Sequence, residues 1–255
     1  MHKARYFELV FYKTYADLRA EAARTYISFL WWILDPLINM VVFYFVFKVI
    51  LNHGTENFVS VLLVGLVFWK WFTNSIQHAL NSIPIHLGLI QQIYLPKLLL
   101  PLITILTDFI KFMVVFSVLI LLLLLIGITP SVAWISLPVL FALQLLLVTG
   151  GGCLVAAINP FFPDLRILTE HGLTLLMFLS GVFFDVSVVP EPYRVFFFVN
   201  PMAVMIDAFR LVILENRLPN WFALGYVFVF GAIILAVALT MLARFDRVYP
   251  RLTLA

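Results

Sequence analysis

The side chains in this sequence able to act as acids, bases, nucleophiles or metal ligands are thirteen carboxylates, five histidines and one cysteine. Enzymatic proton transfer and divalent-metal binding need such groups gathered at one point. Here Asp35, Asp108, Asp164, Asp185 and Asp207 stand singly and far apart. His78 and His86 have ligand-like polarity but no partnered spacing. Cys153 follows Gly150, Gly151 and Gly152 in an apolar run, the setting of a small packing residue, and one cysteine supports neither a disulfide framework nor a zinc cluster within a chain. None of the eleven glycines belongs to a Gly-x-x-x-x-Gly-Lys-Ser/Thr phosphate cradle. The expectation is a chain with no catalytic residues, no metal ion and no cofactor of its own.

The ionisable residues that stand out lie inside apolar segments, where charge is costly and faces a bundle interior or an aqueous path. Asp108 and Lys111, three apart, share one helical face as an ion pair; they either fix helix packing or belong to a proton or ion relay. Lys70 sits in Phe68-Trp69-Lys70-Trp71-Phe72, flanked by rings. It either snorkels from an aromatic belt or faces a lumen. Aromatics are also dense from Phe29 to Phe47. Lipid contact and interface belts account for most of them, but rings with apolar faces also suit weak, repeated contact with sugar rings of a moving chain.

These residues are embedded in a chain that is 64% hydrophobic and 11% charged, against roughly 45–50% and about 25% in soluble domains. Its mean hydropathy is +1.09. A soluble protein is excluded. Each crossing takes about 20 apolar residues, so 255 residues accommodate a compact helical bundle without a separate soluble domain. Residues 1–25 carry five Lys/Arg and three Asp/Glu, which breaks any cleavable signal peptide. Phe7, Phe11, Tyr15, Leu18 and Ala22 recur at helical spacing there, predicting an amphipathic helix lying in the membrane interface.

Six spans follow: about Tyr26 to Val49, Phe58 to Leu80, Leu98 to Ile126, Ala133 to Ile158, Leu165 to Phe184, and Trp221 to Ala243. The apolar runs within 185–220 are too short or interrupted to cross. They read as two short re-entrant or interfacial helices, whose irregular backbone must be satisfied by protein or a water-filled cavity. With a cytoplasmic N-terminus, ten basic residues fall on that side (Lys3, Arg5, Lys13, Arg19, Arg24, Lys97, Arg166, Arg244, Arg247 and Arg251) against four outside (Lys48, Arg194, Arg210 and Arg217). That bias places both termini, including the tail 244–255, in the cytoplasm.

Ordered motifs add a resemblance. Phe29-Leu30-Trp31-Trp32-Ile33-Leu34-Asp35-Pro36-Leu37 opens the first span, and Gly65-Leu66-Val67-Phe68-Trp69-Lys70-Trp71-Phe72 lies in the second. Leu89-Ile90-Gln91-Gln92-Ile93-Tyr94-Leu95-Pro96-Lys97 precedes the third, and Asn159-Pro160-Phe161-Phe162-Pro163-Asp164-Leu165 precedes the fifth. Leu179-Ser180-Gly181-Val182-Phe183, then Pro190, Asn200-Pro201 and Arg210, complete the pattern. Over nearly its whole length the chain resembles the transmembrane subunit of ABC type 2 polysaccharide exporters, the family of O-antigen, teichoic acid and capsule permeases. It departs from that family in having Gln91-Gln92 where Lys-Lys is frequent, and Pro163-Asp164 where Arg-Asp is frequent.

The resemblance implies one transmembrane domain over 1–255: an all-α protein with a cytoplasmic interface helix, six spans and paired re-entrant helices before the last span. It implies a bacterial inner-membrane homodimer bound to two copies of a separate ATPase, which holds the ATP and Mg. The cargo would be a lipid-linked glycan of the O-antigen type used in lipopolysaccharide assembly. Membrane lipid is the other contact, and no nucleic acid is expected. Tyr44, Phe47, Trp69, Trp71 and Phe72 would face the glycan, Gln91, Gln92, Tyr94 and Lys97 would couple to the ATPase, and Arg194 and Arg210 would sit at the outer mouth.

Other readings remain on sequence grounds. The same fold exporting a drug, lipid or other small amphiphile is the nearest. A membrane-embedded sugar transferase would need a paired diacid, which the separated aspartates do not provide. A passive channel would need no ATPase.

Overall fold

The computed structural model describes residues 3–24, 30, 31, 34, 37–39, 41, 42, 45–50, 58–86, 88, 95–246, 248 and 249. The first expected span is described only at scattered residues and in a short, wide helical segment at Phe45–Ile50, and the whole polar turn 52–57 lies outside the described residues. All regular structure among the described residues is helical. The helix expected at the interface is α1 (Lys3–Arg24), and the second and third expected spans are α2 (Phe58–Ile85) and α3 (Leu99–Leu125). A 3-10 turn (Val132–Ser136) leads into α4 (Leu137–Ile158), followed by α5 (Leu165–Leu179). The outer segment forms α6 (Glu191–Phe197) and α7 (Pro201–Ile213), and the last helix is α8 (Trp221–Phe245).

The helix ends follow local chemistry. After α3, Gly127 takes φ +97°, its N–H donates to the Leu124 carbonyl at 3.0 Å, and the Ile128 N–H donates to Leu123 at 3.0 Å. This closure satisfies the terminal carbonyls of a helix and favours glycine, which has no Cβ to clash at positive φ. Ser131 then starts the next helical stretch by accepting the Ala133 N–H at 3.2 Å. Asn200 and Asn220 do the same for α7 and α8, accepting from Met202 at 3.0 Å and Phe222 at 3.1 Å.

Among the described residues, four helices are long and apolar enough to cross: α2, α3, α4 with its leading turn, and α8. The pair α6 and α7, bent by 109°, is either a fifth broken span or a re-entrant loop. α5 is shorter than the expected run to Phe184. Its 15 residues rise about 22 Å at 1.5 Å per residue, short of the roughly 30 Å of hydrocarbon. It stops at Leu179 because the carbonyls that follow are bound by a side chain from α7, described below.

Hydrophobicity does not pull helices together inside hydrocarbon, so close packing must. At the centre, Phe68 of α2 stacks on Phe209 of α7 with ring centroids 3.5 Å apart, and Phe112 of α3 and Phe141 of α4 lie at 5.5 and 6.2 Å from Phe68. α4 and α8 meet along glycines: a Cβ on Gly150 would stand 3.1 Å from the Gly231 carbonyl oxygen, and one on Gly231 would stand 3.0 Å from Leu146. Cys153, on the same helix, is fully buried. Gly150→Val is expected to force these helices apart and cost about 1–3 kcal/mol. Gly225→Ala, where a Cβ meets nothing within 4 Å, should be neutral. Thermal melting of both purified variants in detergent checks the contrast.

Candidate functional site

Three polar constellations interrupt the apolar bundle. The first centres on Arg210 of α7, which is 3% exposed. Its Nε and Nη2 donate to the Val61 carbonyl at 3.1 and 2.9 Å. Its Nη1 donates to Gly181 and Phe184 at 2.7 and 2.9 Å, and Nη2 also donates to Val182 at 2.8 Å. The planar guanidinium fork thus ties the first turn of α2 to the chain leaving α5. Gly65 makes the approach possible, since a Cβ there would stand 2.6 Å from Arg210 Nη2 and 2.8 Å from the Val182 oxygen. Side chains tilt toward the helix N-terminus, so glycine one turn on also leaves the Val61 carbonyl uncovered.

The second constellation lies at the opposite end of the bundle. The Lys97 backbone N–H donates to Asp246 Oδ1 at 2.9 Å, joining the entry to α3 to the exit from α8. Lys97 Nζ donates to the Leu95 carbonyl at 3.0 Å. Asn159 Nδ2 donates to the Leu80 carbonyl at 2.9 Å, and the Tyr249 hydroxyl donates to Ala157 at 3.2 Å. Burial, and then the nearby Asp246 charge, push that hydroxyl up to about 12, so it stays a donor.

The third is a charged cavity of about 240 Å³ between α1, α2 and α3. The Asp108 carboxylate lies 2.9 and 3.0 Å from Nδ1 of His78; a carboxylate only accepts, so Nδ1 carries the proton. Lys111 pairs with Glu21 of α1 and lies 3.8 Å from Asp108. The expected Asp108–Lys111 pair is therefore part of a four-member cluster. Its other two members, His78 and Glu21, are 30 and 90 residues away from their partners, and no local spacing links them. Lys70 lines both this cavity and a second one of about 220 Å³ that reaches α5.

The residues singled out in the sequence are dispersed. Trp69 and Trp71 are buried at 2% and 4% exposure. Trp71 stacks on Phe112 at 4.1 Å and borders the charged cavity, and Trp69 lies 5.6 Å from the half-buried Phe72 and borders the second cavity, so both are packed within the bundle. Tyr44, Gln91, Gln92 and Tyr94, and the Phe47 side chain, lie outside the described residues. Lys97 is buried at 2% exposure rather than presented to solvent. Arg210, expected at an outer mouth, is turned into the helix junction, because a charge at that depth must find polar partners. Arg194 is half-buried and donates to the Val189 carbonyl at 3.1 Å, capping its own turn.

Long apolar helices pinned by buried polar groups near both ends define a multi-pass membrane protein. Residues 16–214 match the family described as ABC-2 type transporter. The chain belongs to this family, whose members form the transmembrane part of ABC transporters, a part that implies an ATPase partner. Over 236 residues it is 25% identical to the O-antigen export system permease protein RfbA of Klebsiella pneumoniae, covering 92% of this chain and 91% of that protein. It is 26% identical over 206 residues to the protein of the same name from Myxococcus xanthus, covering 80% and 79%.

Arg210→Gln should strand several carbonyls in apolar surroundings at about 1–3 kcal/mol each. Arg210→Lys should rescue little, because one ammonium cannot span both helices as the fork does. Gly65→Ala should act in the same direction, more weakly. Melting temperatures in detergent measure all three, and a wild-type value for Arg210→Lys would remove the clamp from this account.

Proposed function

We propose that this chain is the membrane subunit of an ATP-driven exporter of a polysaccharide, a lipid-linked glycan of the O-antigen type. The observation that carries the reading is family membership joined to likeness, over nine-tenths of the chain, to a protein named as an O-antigen export permease. Two copies form the path, each served by a separate ATPase that binds ATP and Mg. Six spans cross the bacterial inner membrane with both termini in the cytoplasm; the stretch 26–49 supplies the first, α5 and its continuation supply the fifth, and the bent pair α6 and α7 stays on the outer side. The bias of ten basic residues against four supports this orientation.

In this mechanism the segment Gln91, Gln92 and Tyr94 docks on the ATPase. Lys97 positions that segment through its backbone bond to Asp246. ATP-driven movement there opens a seam between the two copies, and the glycan threads outward past Tyr44, Phe47 and Phe72, with Trp69 and Trp71 forming the wall behind. Arg194 lies in the outer segment, beside the mouth, and Arg210 holds that segment in place. Export of a drug, lipid or other small amphiphile through the same fold is the second reading, favoured by a cavity that sets Val67, Trp71, Phe112 and Val115 beside its charged groups.

Reconstitution of the chain with its ATPase separates the two. The expected result is ATP hydrolysis stimulated by a lipid-linked glycan, with transfer of that glycan across the bilayer. Stimulation by small amphiphiles with an inert glycan would transfer the assignment to the second reading. Phe72→Ala should slow glycan export about two- to tenfold, the equivalent of roughly 0.5–1.5 kcal/mol of ring contact, without changing basal hydrolysis.

A further inference from the structure

At the clamp end of the bundle, where α7 meets the start of α8, a cavity of about 160 Å³ opens. Room on that scale takes on the order of ten water-sized groups. Its walls are hydrocarbon: Val204 and Leu211 of α7, Leu224 of α8, and the half-buried ring of Phe198 at the bend before α7. Two polar side chains interrupt them, Asp207 of α7 and the exposed Asn220.

Asp207 is half-buried, and its carboxylate makes no hydrogen bond and no ion pair among the described residues. The nearest cation along α7, Arg210, is committed elsewhere. All five of its N–H donors go to the carbonyls of Val61, Gly181, Val182 and Phe184. Asp185 and Glu215 also act on Asp207 electrostatically, so two further carboxylates stand against that one guanidinium. Asn220 is neutral and spends its carbonyl oxygen on the Phe222 and Ala223 N–H groups of α8, at 3.1 and 3.3 Å. A charge between apolar walls is costly without a partner, and here the partner has to arrive with a ligand.

The walls select among ligands. An anion is repelled by Asp207, and a sugar ring needs more polar partners than one carboxylate and one amide. A primary ammonium on a short hydrocarbon stem satisfies every surface. It gives Asp207 a charge-assisted hydrogen bond, sets its positive charge near the Phe198 ring, and lays its stem on Val204, Leu211 and Leu224.

We propose that this pocket binds a primary ammonium group carried on a hydrocarbon stem of a few carbons. Asp207 holds the ammonium from α7 while the stem reaches α8, so the bound amine bridges the two helices. The assignment does not depend on which cargo the exporter carries. A free alkylamine and the head of an aminophospholipid share this chemistry.

The test titrates n-hexylamine at neutral pH into the intact chain with its ATPase, purified in dodecyl maltoside, with empty micelles as the blank. Binding with a dissociation constant of about 0.1–1 mM is expected, with n-hexanol and hexanoate at least tenfold weaker. Asp207→Asn should weaken hexylamine at least tenfold and melt no lower than the wild type, because it loses no protein partner. Should Asp207→Asn fail to fold, Ala223→Leu, which fills the cavity from α8, serves as the second variant with the same loss of binding. Displacement of hexylamine by dihexanoyl phosphatidylethanolamine, with the phosphatidylglycerol inert, assigns the site to a lipid head; no displacement by either assigns it to a free amine. Equal binding of hexylamine and hexanol, unaltered binding in a folded variant, or no binding above that of empty micelles would each overturn the proposal.

Discussion

A guanidinium buried among apolar helices has to be surrounded by oxygen, and the arrangement at one end of this bundle follows from that requirement. Arg210 gathers the carbonyls of Val61, Gly181, Val182 and Phe184. Backbone that leaves a helix at membrane depth needs the converse, donors for its freed carbonyls. Each side therefore meets the other's need, and neither would be tolerable alone. The clamp lets α5 end at Leu179, lets Gly181 turn with φ +70°, and holds α7 against α2, where Phe209 can stack on Phe68. Gly65 is the steric condition for all of it.

The opposite end is organised on a different scale of charge. Lys97 and Asp246, Asn159, and Tyr249 contribute hydrogen bonds that tie this end together, each worth about 0.5–1.5 kcal/mol, or 1.5–3 where a charge takes part. Such contacts fix register without making the end rigid. Between the two ends, α4 and α8 approach closely through Gly150 and Gly231. The Lys97 bond to Asp246 is the contact that joins the entry to α3 to the exit from α8, whereas the clamp end gathers five bonds on one side chain.

Much of this was readable from residue types alone. Helices α2, α3, α4 and α8 fall within a few residues of the expected spans because hydropathy and length decide them, and the interface helix follows from its 3.6-residue pattern. The bend between α6 and α7 is marked by Asn200-Pro201, a cap followed by a residue suited to the first helical turn. The contact partners were not readable. Asp108 and Lys111 announce a pair by spacing, yet their nearer partners, His78 and Glu21, come from other helices. Arg210 read as a mouth residue because its position among outer loops suggests exposure; only packing shows that it faces inward. Trp69 and Trp71 read as glycan-facing from aromatic content, which does not reveal that they pack against Phe72 and Phe112. The short α5 was missed because its end is set by a side chain 31 residues further on, not by Leu179 itself.

α5 is held only loosely by its own chain. Leu173 is its one buried residue, while Ile167, Leu168, Leu175 and Phe178 are exposed. An apolar surface in contact with lipid is no anomaly in a membrane protein, but packing contacts stabilise a helix there, and α5 has few. It also bears Arg166, Glu170 and His171, charges that a span facing lipid on all sides would not carry at depth. A helix with these properties is suited to a seam, where a second copy covers the apolar residues and water reaches the polar ones. The proposed pathway between two copies places α5 in that position. Its loose attachment then has a use: the wall of a path that opens and closes is the part that should be held mainly at its ends, here by the Asn159 bond that precedes Leu165 and the Arg210 clamp that follows Leu179.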